Sequence, residues 1–339
     1  MTISLANIAK HVSTGEIMSP IAGAGPSEAA WSGVFAILCT PFRADGQLDP
    51  ASLRREIGFC LESGVHGVVA LVNASEFWTL ADDERLQIAE LVLSEVQGRV
   101  PTVIGITAGS ADWAIRFARH AQDTGASAVM AMPPNSHPTA PPEIFRYYER
   151  LTSVLEIPLF IQNHDAPVGT RMSPELVTRI VRELPHADWI KEETVPAGHA
   201  ISYELASCGP KLAGVMGGLA GRYVFDEYSR GACGTMPACE SADIHVGIWN
   251  LLASGKEEEA RALFARLLPL LNFEAVSAGV YQTVLHWRGI FESDFLRSKL
   301  SNPLDASDRR ELATIVHSLQ DLMTAAPARA ERMGKEAAA

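Results

Sequence analysis

The sequence predicts an α/β chain folded as a (β/α)8 TIM barrel with a C-terminal helical extension. Three observations carry this reading. From Trp31 onward, apolar runs of four to seven residues alternate with longer amphipathic stretches. The alternation recurs eight times before residue 240, at a spacing of about 25 residues, which suits a closed barrel better than a doubly wound sheet. No Gly-x-Gly-x-x-Gly follows a strand, which weakens a dinucleotide-binding alternative.

The elements follow in order. Val34–Thr40 reads as a buried strand stopped by Pro41, and Asp49 then precedes a helical pattern through Ser63, with Leu53, Ile57, Cys60 and Leu61 on one face. Gly67–Leu71 is the second strand. Asp82–Val96 is the second helix, and its opening acidic residues suit the positive helix N-terminus. The unit then repeats: Pro101–Gly105 with Ser110–Asp123, Ala128–Met132 with Pro141–Leu155, Pro158–Gln162 with Ser173–Glu183, and Ala187–Lys191 with His199–Cys208. Leu212–Met216 with Gly221–Arg230 and the eighth strand, Ala232–Met236, complete the set. Beyond them the pattern is helical throughout, in Ile244–Ser254, Glu257–Leu271, Ala275–Ile290 and Ala306–Leu322. The domain reading is therefore a flexible N-terminal arm over 1–30, the barrel over 31–240, barrel helix eight plus the extension over 241–325, and a frayed tail over 326–339.

Composition narrows the function. The chain has 339 residues, 47% hydrophobic and 20% charged, long enough to bury a large core. A formal net charge of -12 without a Lys/Arg-rich run argues against nucleic acid as a partner. No apolar run reaches transmembrane length, and the first thirty residues lack the pattern of a signal peptide. The five cysteines, 39, 60, 208, 233 and 239, form no Cys-x-x-Cys pair; they read as buried free thiols of a reducing compartment. Cys233 and Cys239 stand too far from any His pair to suggest zinc, so no metal or cofactor is expected.

In a barrel of this kind the chemistry gathers at the C-terminal ends of the strands. Those ends present Thr40, then Asn73-Ala74-Ser75-Glu76, then Thr107, Asn135 and His137, His164-Asp165, Lys191, and Gly217-Gly218. Lys191 is the one lysine among them, and none lies between Lys10 and Lys191. Burying an ammonium favours its neutral form, and a neutral amine can attack a ketone to form a Schiff base. The bland reading is a lysine that snorkels to water or pairs with Glu192 or Glu193. The Asn73-Ala74-Ser75 turn can direct backbone N–H groups at a carboxylate, or be an ordinary turn. His137, His164 and Asp165 are acid/base candidates, and His164-Asp165 lacks the third ligand of a metal motif.

These segments resemble the dihydrodipicolinate synthase / N-acetylneuraminate lyase superfamily of class I Schiff-base lyases. The resemblance rests on Gly33–Phe42 with its Thr40-Pro41-Phe42, on Asn73–Phe77, Asp82-Asp83-Glu84-Arg85 and Gly98–Pro101, and on Ile190-Lys191-Glu192, in order from about Gly33 to Leu322. Ser75-Glu76, Met130–Pro134, Asp165-Ala166-Pro167 and Leu268–Asn272 followed by Glu274 are most similar to L-2-keto-3-deoxyarabonate dehydratase-like members. The resemblance implies Lys191 as the imine-forming nucleophile, acting on a 2-oxo acid. It implies a cytoplasmic homotetramer or homodimer in carbohydrate catabolism, without metal, cofactor or membrane contact.

On that pattern the N–H groups near Ala74 and Ser75 would hold the substrate carboxylate, and Gly217 and Gly218 would let the ligand approach the backbone. Asn135 stands where the superfamily has a catalytic tyrosine. An amide cannot shuttle a proton as a phenol does, so His137 or His164 would take the part. Dehydration of a 2-keto-3-deoxy sugar acid is the leading expectation. An aldolase, synthase or deaminase of the same superfamily is one alternative, and a non-catalytic 2-oxo acid binding or regulatory protein is the other.

Overall fold

Eight parallel strands close on themselves: β1 (Gly33–Ile37), β2 (Gly67–Ala70), β3 (Thr102–Gly105), β4 (Ala128–Ala131), β5 (Leu159–His164), β6 (Trp189–Glu193), β7 (Gly214–Gly217) and β8 (Gly234–Thr235). Each pairs with its neighbours in sequence, and β8 returns to β1 through Gly33–Gly234 and Val34–Thr235. The computed structural model describes residues 31–134, 139–298, 303–329 and 332–333. The arm over 1–30, most of the tail, and both Asn135 and His137 lie outside the described residues.

Helices α1 (Pro50–Glu62), α2 (Asp82–Val96), α3 (Ala111–Asp123), α4 (Pro141–Thr152), α5 (Pro174–Glu183), α6 (Ala197–Ser207), α7 (Val224–Ser229) and α8 (Ala242–Ala253) each follow one strand. The extension is α9 (Glu257–Phe273), α10 (Gly279–Trp287) and α11 (Ala306–Ser318). Local chemistry starts α1 and α5 where the sequence predicts. Asp49 caps α1 by accepting from the N–H groups of Ala51 and Ser52, and Ser173 caps α5 ahead of Pro174, whose missing N–H costs nothing at a first turn.

Alternation along each strand sorts the side chains into two layers. Phe35, Val69, Val103, Met130, Phe160, Trp189 and Met216 fill the barrel interior; the intervening Val34, Ala36, Val68, Ile104, Val129, Ile161, Ile190 and Val215 pack against the helices. Trp31 stacks on Phe160 and Trp189 among the interior residues.

Several predicted boundaries shift. Strands five and six run on to His164 and Glu193, so Lys191 sits within β6 rather than at its end. The eighth strand shrinks to Gly234–Thr235, because the chain turns away at Met236-Pro237 to reach the short 3-10 turn Cys239–Ser241. A one-turn 3-10 helix at Leu219–Gly221 replaces the start of the seventh predicted helix, and Ala220 there takes φ 59°. In the extension the helix predicted over 275–290 begins only at Gly279.

Candidate active site

Parity in β6 decides what Lys191 meets. Trp189, Lys191 and Glu193 share the inner face of the strand, whereas Ile190 and Glu192 face the helices. Lys191 is 1% exposed, and its Nζ lies 3.2 Å from Glu193 Oε2. The same parity in β5 brings Gln162 inward, where its amide donates to Glu193 Oε2 at 2.6 Å. The Leu219 N–H donates to Glu193 Oε1 at 3.2 Å. Burial pushes the Glu193 carboxyl up, but Lys191, His164 and these donors outweigh it and hold the group below its ordinary value.

Glu192 belongs to another layer. It accepts from Asn163 (2.9 Å) and from the Thr194 N–H (2.7 Å), and it neighbours Glu204 of α6. Burial, followed by the neighbouring Glu192, raises Glu204 well above the carboxylate range, so this couple shares a proton. The adjacent glutamates 192 and 193 therefore have opposite tasks, one bracing a helix and one facing the lysine.

A cavity of about 260 Å³ opens over Lys191 and Glu193. Asn73, Ala74 and His164, all site candidates in the sequence, are among the residues that line it. His164 ends β5 opposite Glu193, and its Nδ1 lies 2.9 Å from the Asp165 carbonyl oxygen. The Asn73 amide reaches the Met132 sulfur at 3.9 Å, while its Oδ1 is buried without a partner among the described residues.

Thr40, Ser75, Gly217 and Gly218 take other parts. The Ser75 hydroxyl donates to the Leu38 carbonyl (2.6 Å), its N–H donates to Val72 (2.9 Å), and the Thr40 hydroxyl donates to the Ser75 carbonyl (2.5 Å). With its N–H engaged, Ser75 braces the end of β1 instead of presenting a donor to a carboxylate. The two glycines make room for protein rather than ligand. A Cβ on Gly217 would stand 1.9 Å from a Glu227 carboxylate oxygen, and one on Gly218 would stand 2.3 Å from Glu193 Cγ. Burial, then the nearby Glu193, pushes Glu227 up to about 8.

Four residues that the sequence did not single out for the site join it: Glu193, Arg222, Glu274 and Tyr281. Arg222 donates to Leu219 (3.0 Å) and lies 3.5 Å from Glu274, which burial, then Glu240, pushes well above the carboxylate range. Glu274 and Tyr281 arrive from the end of α9 and from α10, so the helical extension forms one wall of the cavity. The signal for Glu193 was present as its spacing of two from Lys191. Arg222, Glu274 and Tyr281 depend on how the extension docks, and no local pattern announces that. Backbone strain gathers around the same opening: Leu71 and Glu76 have φ of 63° and 51° on one side, and Leu219 and Ala220 have 48° and 59° on the other.

Comparison with known proteins agrees with this fold. The chain is 29% identical to an L-2-keto-3-deoxyarabonate dehydratase of Azospirillum brasilense over 297 residues, covering 86% of this chain and 95% of that protein. It is 27% identical to a 4-hydroxy-tetrahydrodipicolinate synthase of Syntrophobacter fumaroxidans, covering 83% of this chain and 96% of the other. A solved structure described as a putative dihydrodipicolinate synthetase from Pseudomonas aeruginosa superposes with a TM-score of 0.79 at 27% identity, over 85% of this chain and 99% of that one. Residues 30–319 match the dihydrodipicolinate synthetase family, and with the closed barrel and its inward lysine this chain belongs to that family.

Proposed function

We propose that this protein is a Schiff-base-forming lyase for 2-oxo acids, and that its reaction is the dehydration of a 2-keto-3-deoxy sugar acid. One observation carries the reading: a lysine 1% exposed, inside the barrel, opening into a cavity and paired with a carboxylate at 3.2 Å. A buried ion pair is a poor device for stability, and a strongly constrained lysine in a cleft is a sign of chemistry.

In this mechanism Lys191 passes its proton to Glu193 and attacks the C2 ketone. Glu193 returns that proton to the carbinolamine hydroxyl, which leaves as water, and the protonated imine so formed draws electrons from C3. Glu193, a short distance from the imine nitrogen, takes the C3 proton, and the C4 hydroxyl departs with a proton. His164 faces Glu193 across the β5–β6 pairing and is the described histidine placed to return that proton; His137 is the second candidate. Asn73 and the N–H of Ala74 take the substrate carboxylate, and Asn135 takes a hydroxyl. Similarity to the arabonate dehydratase over most of both chains supports dehydration. Similarity to the synthase supports a second reading, in which the same imine serves carbon–carbon bond formation or cleavage. The protein acts as a cytoplasmic homo-oligomer, a dimer or a tetramer, in carbohydrate catabolism.

Borohydride reduction in the presence of a panel of 2-oxo acids tests imine formation, with the adduct expected on Lys191 by peptide mapping. No adduct from any 2-oxo acid, in a folded sample, overturns the proposal. Product identity then separates dehydration from retro-aldol cleavage, and trapping without turnover points to a binding protein. Wild-type rates in both His137→Ala and His164→Ala would remove the histidines from the mechanism.

A further inference from the structure

Three of the five cysteines converge where the barrel closes. Cys39 follows β1, Cys60 lies on α1, and Cys239 sits in the turn after β8. The Cys39 and Cys60 thiols neighbour the Cys239 sulfur, which donates to Glu56 Oε1 at 2.9 Å. Glu56 and Cys60 are four residues apart on α1, so both present to the same side. The ligand atoms of Cys39, Cys239 and Glu56 lie within 4.8 Å of one another. Glu56 is 0% exposed, and its Oε1 also accepts from the Cys39 N–H at 2.8 Å, while its Oε2 is buried without a partner among the described residues. None of these groups lines the cavity over Lys191.

We propose that Cys39, Cys60, Cys239 and Glu56 form a closed binding site for a thiophilic divalent cation of the zinc or cadmium type. Four protein ligands of the soft-sulfur and carboxylate kind, with no side open to solvent, match a structural tetrahedral centre rather than a catalytic one. Metal–sulfur bonds of about 2.3 Å place tetrahedral ligands about 3.7 Å apart, so the Cys39, Cys239 and Glu56 atoms need to contract by only about 1 Å, and Cys60, outside that 4.8 Å group, closes in further as the fourth ligand. The cation replaces the protons of the three thiols and any proton on Glu56, and those protons pass to solvent. The centre ties α1 to both strands at the β8–β1 closure, where the parallel register covers just Gly33–Gly234 and Val34–Thr235. It stands apart from the proposed lyase chemistry, and its test does not depend on turnover.

The test is a titration of the reduced, full-length protein with Cd²⁺ and with Co²⁺, read by thiolate-to-metal charge-transfer absorption and by thermal unfolding. The expected result is one equivalent bound and a raised Tm. Affinity should fall at least about tenfold in Cys39→Ser, Cys60→Ser and Cys239→Ser, since each removes a ligand. Affinity should be unchanged in Cys208→Ser and Cys233→Ser, whose thiols lie elsewhere in the core. Should Cys239→Ser fail to fold, Glu56→Gln keeps an acceptor for the Cys39 N–H and removes the carboxylate ligand, and it should weaken binding likewise. Absence of thiolate bands in the wild type, or equal affinity in the Cys60→Ser and Glu56→Gln variants, overturns the proposal.

Discussion

The β5–β6 wall and the β8–β1 closure are opposite designs within one barrel. At the first, pairing runs from Phe160–Trp189 to His164–Glu193, and a lysine, a carboxylate and an amide point inward. At the second, β8 contributes only two residues, and thiols with a buried glutamate stand behind the strands. Long pairing allows the wall to hold charged groups away from water at fixed geometry. Short pairing leaves the closure to side chains from three separate segments. Rigidity for chemistry and closure of the barrel are thus met by different physical means.

The largest expected effect breaks the wall's chemistry. Lys191→Met should abolish imine trapping and lower kcat by at least about 10⁴-fold, because the residue that forms the covalent intermediate is gone. Single-turnover and borohydride assays check it. Glu193→Gln should lower kcat by about 10²–10⁴-fold and slow imine trapping on Lys191, because the same carboxylate takes the lysine proton before attack and the C3 proton after it. If trapping kept its wild-type rate while turnover fell, Glu193 would act at C3 alone and another group would activate Lys191.

The closure should respond in stability instead. Arg288 and Asp243 form a fully buried ion pair at 2.7 Å, with Arg288 also donating to the Glu240 carbonyl. Asp243→Ala leaves that guanidinium unpaired and should cost about 3–5 kcal/mol in urea unfolding, with imine trapping retained in the folded fraction. If stability fell little and trapping vanished, the two regions would not be separable.

Two smaller effects sharpen the wall. Gly218→Ala puts a Cβ 2.3 Å from Glu193 Cγ, and overpacking of this kind should cost about 1–3 kcal/mol and reduce turnover more than substrate binding. The pH dependence provides the second. Glu227, pushed up to about 8 in the fold, keeps its proton there while the unfolded chain has lost it. Its contribution to stability is full below the unfolded value of about 4.3 and is lost as pH rises toward 8. Glu227→Gln should therefore flatten the fall in stability between about pH 5 and 8 relative to the wild type. Glu193, held low, works in the opposite sense: its contribution is present above the unfolded carboxylate value and is lost as pH drops through its folded value.

Most of the architecture was legible in the chain, because strand and helix periods are local. Lys191 was legible because lysine is absent from the preceding strands and the flanking run is apolar. The partner of Lys191 was legible only as a choice between Glu192 and Glu193. That choice turns on strand parity, and parity was hidden by ending the strand two residues early. Gly217 and Gly218 were legible as close-approach positions, but what approaches them comes from α7 and from β6. Ser75 was legible as part of a turn, though its role as a brace depends on β1 lying beside it.

By itself the sequence determined the barrel class, the order of its units and the identity of the buried lysine, since these follow from periodicity and from the scarcity of lysine along the chain. Only the tertiary structure decided the company that lysine keeps, the wall contributed by α9 and α10, and the meeting of Cys39 and Cys60 with Cys239. The reason is closure. Joining β8 to β1 brings residues some two hundred positions apart into contact, and no local propensity encodes which side chains then face one another.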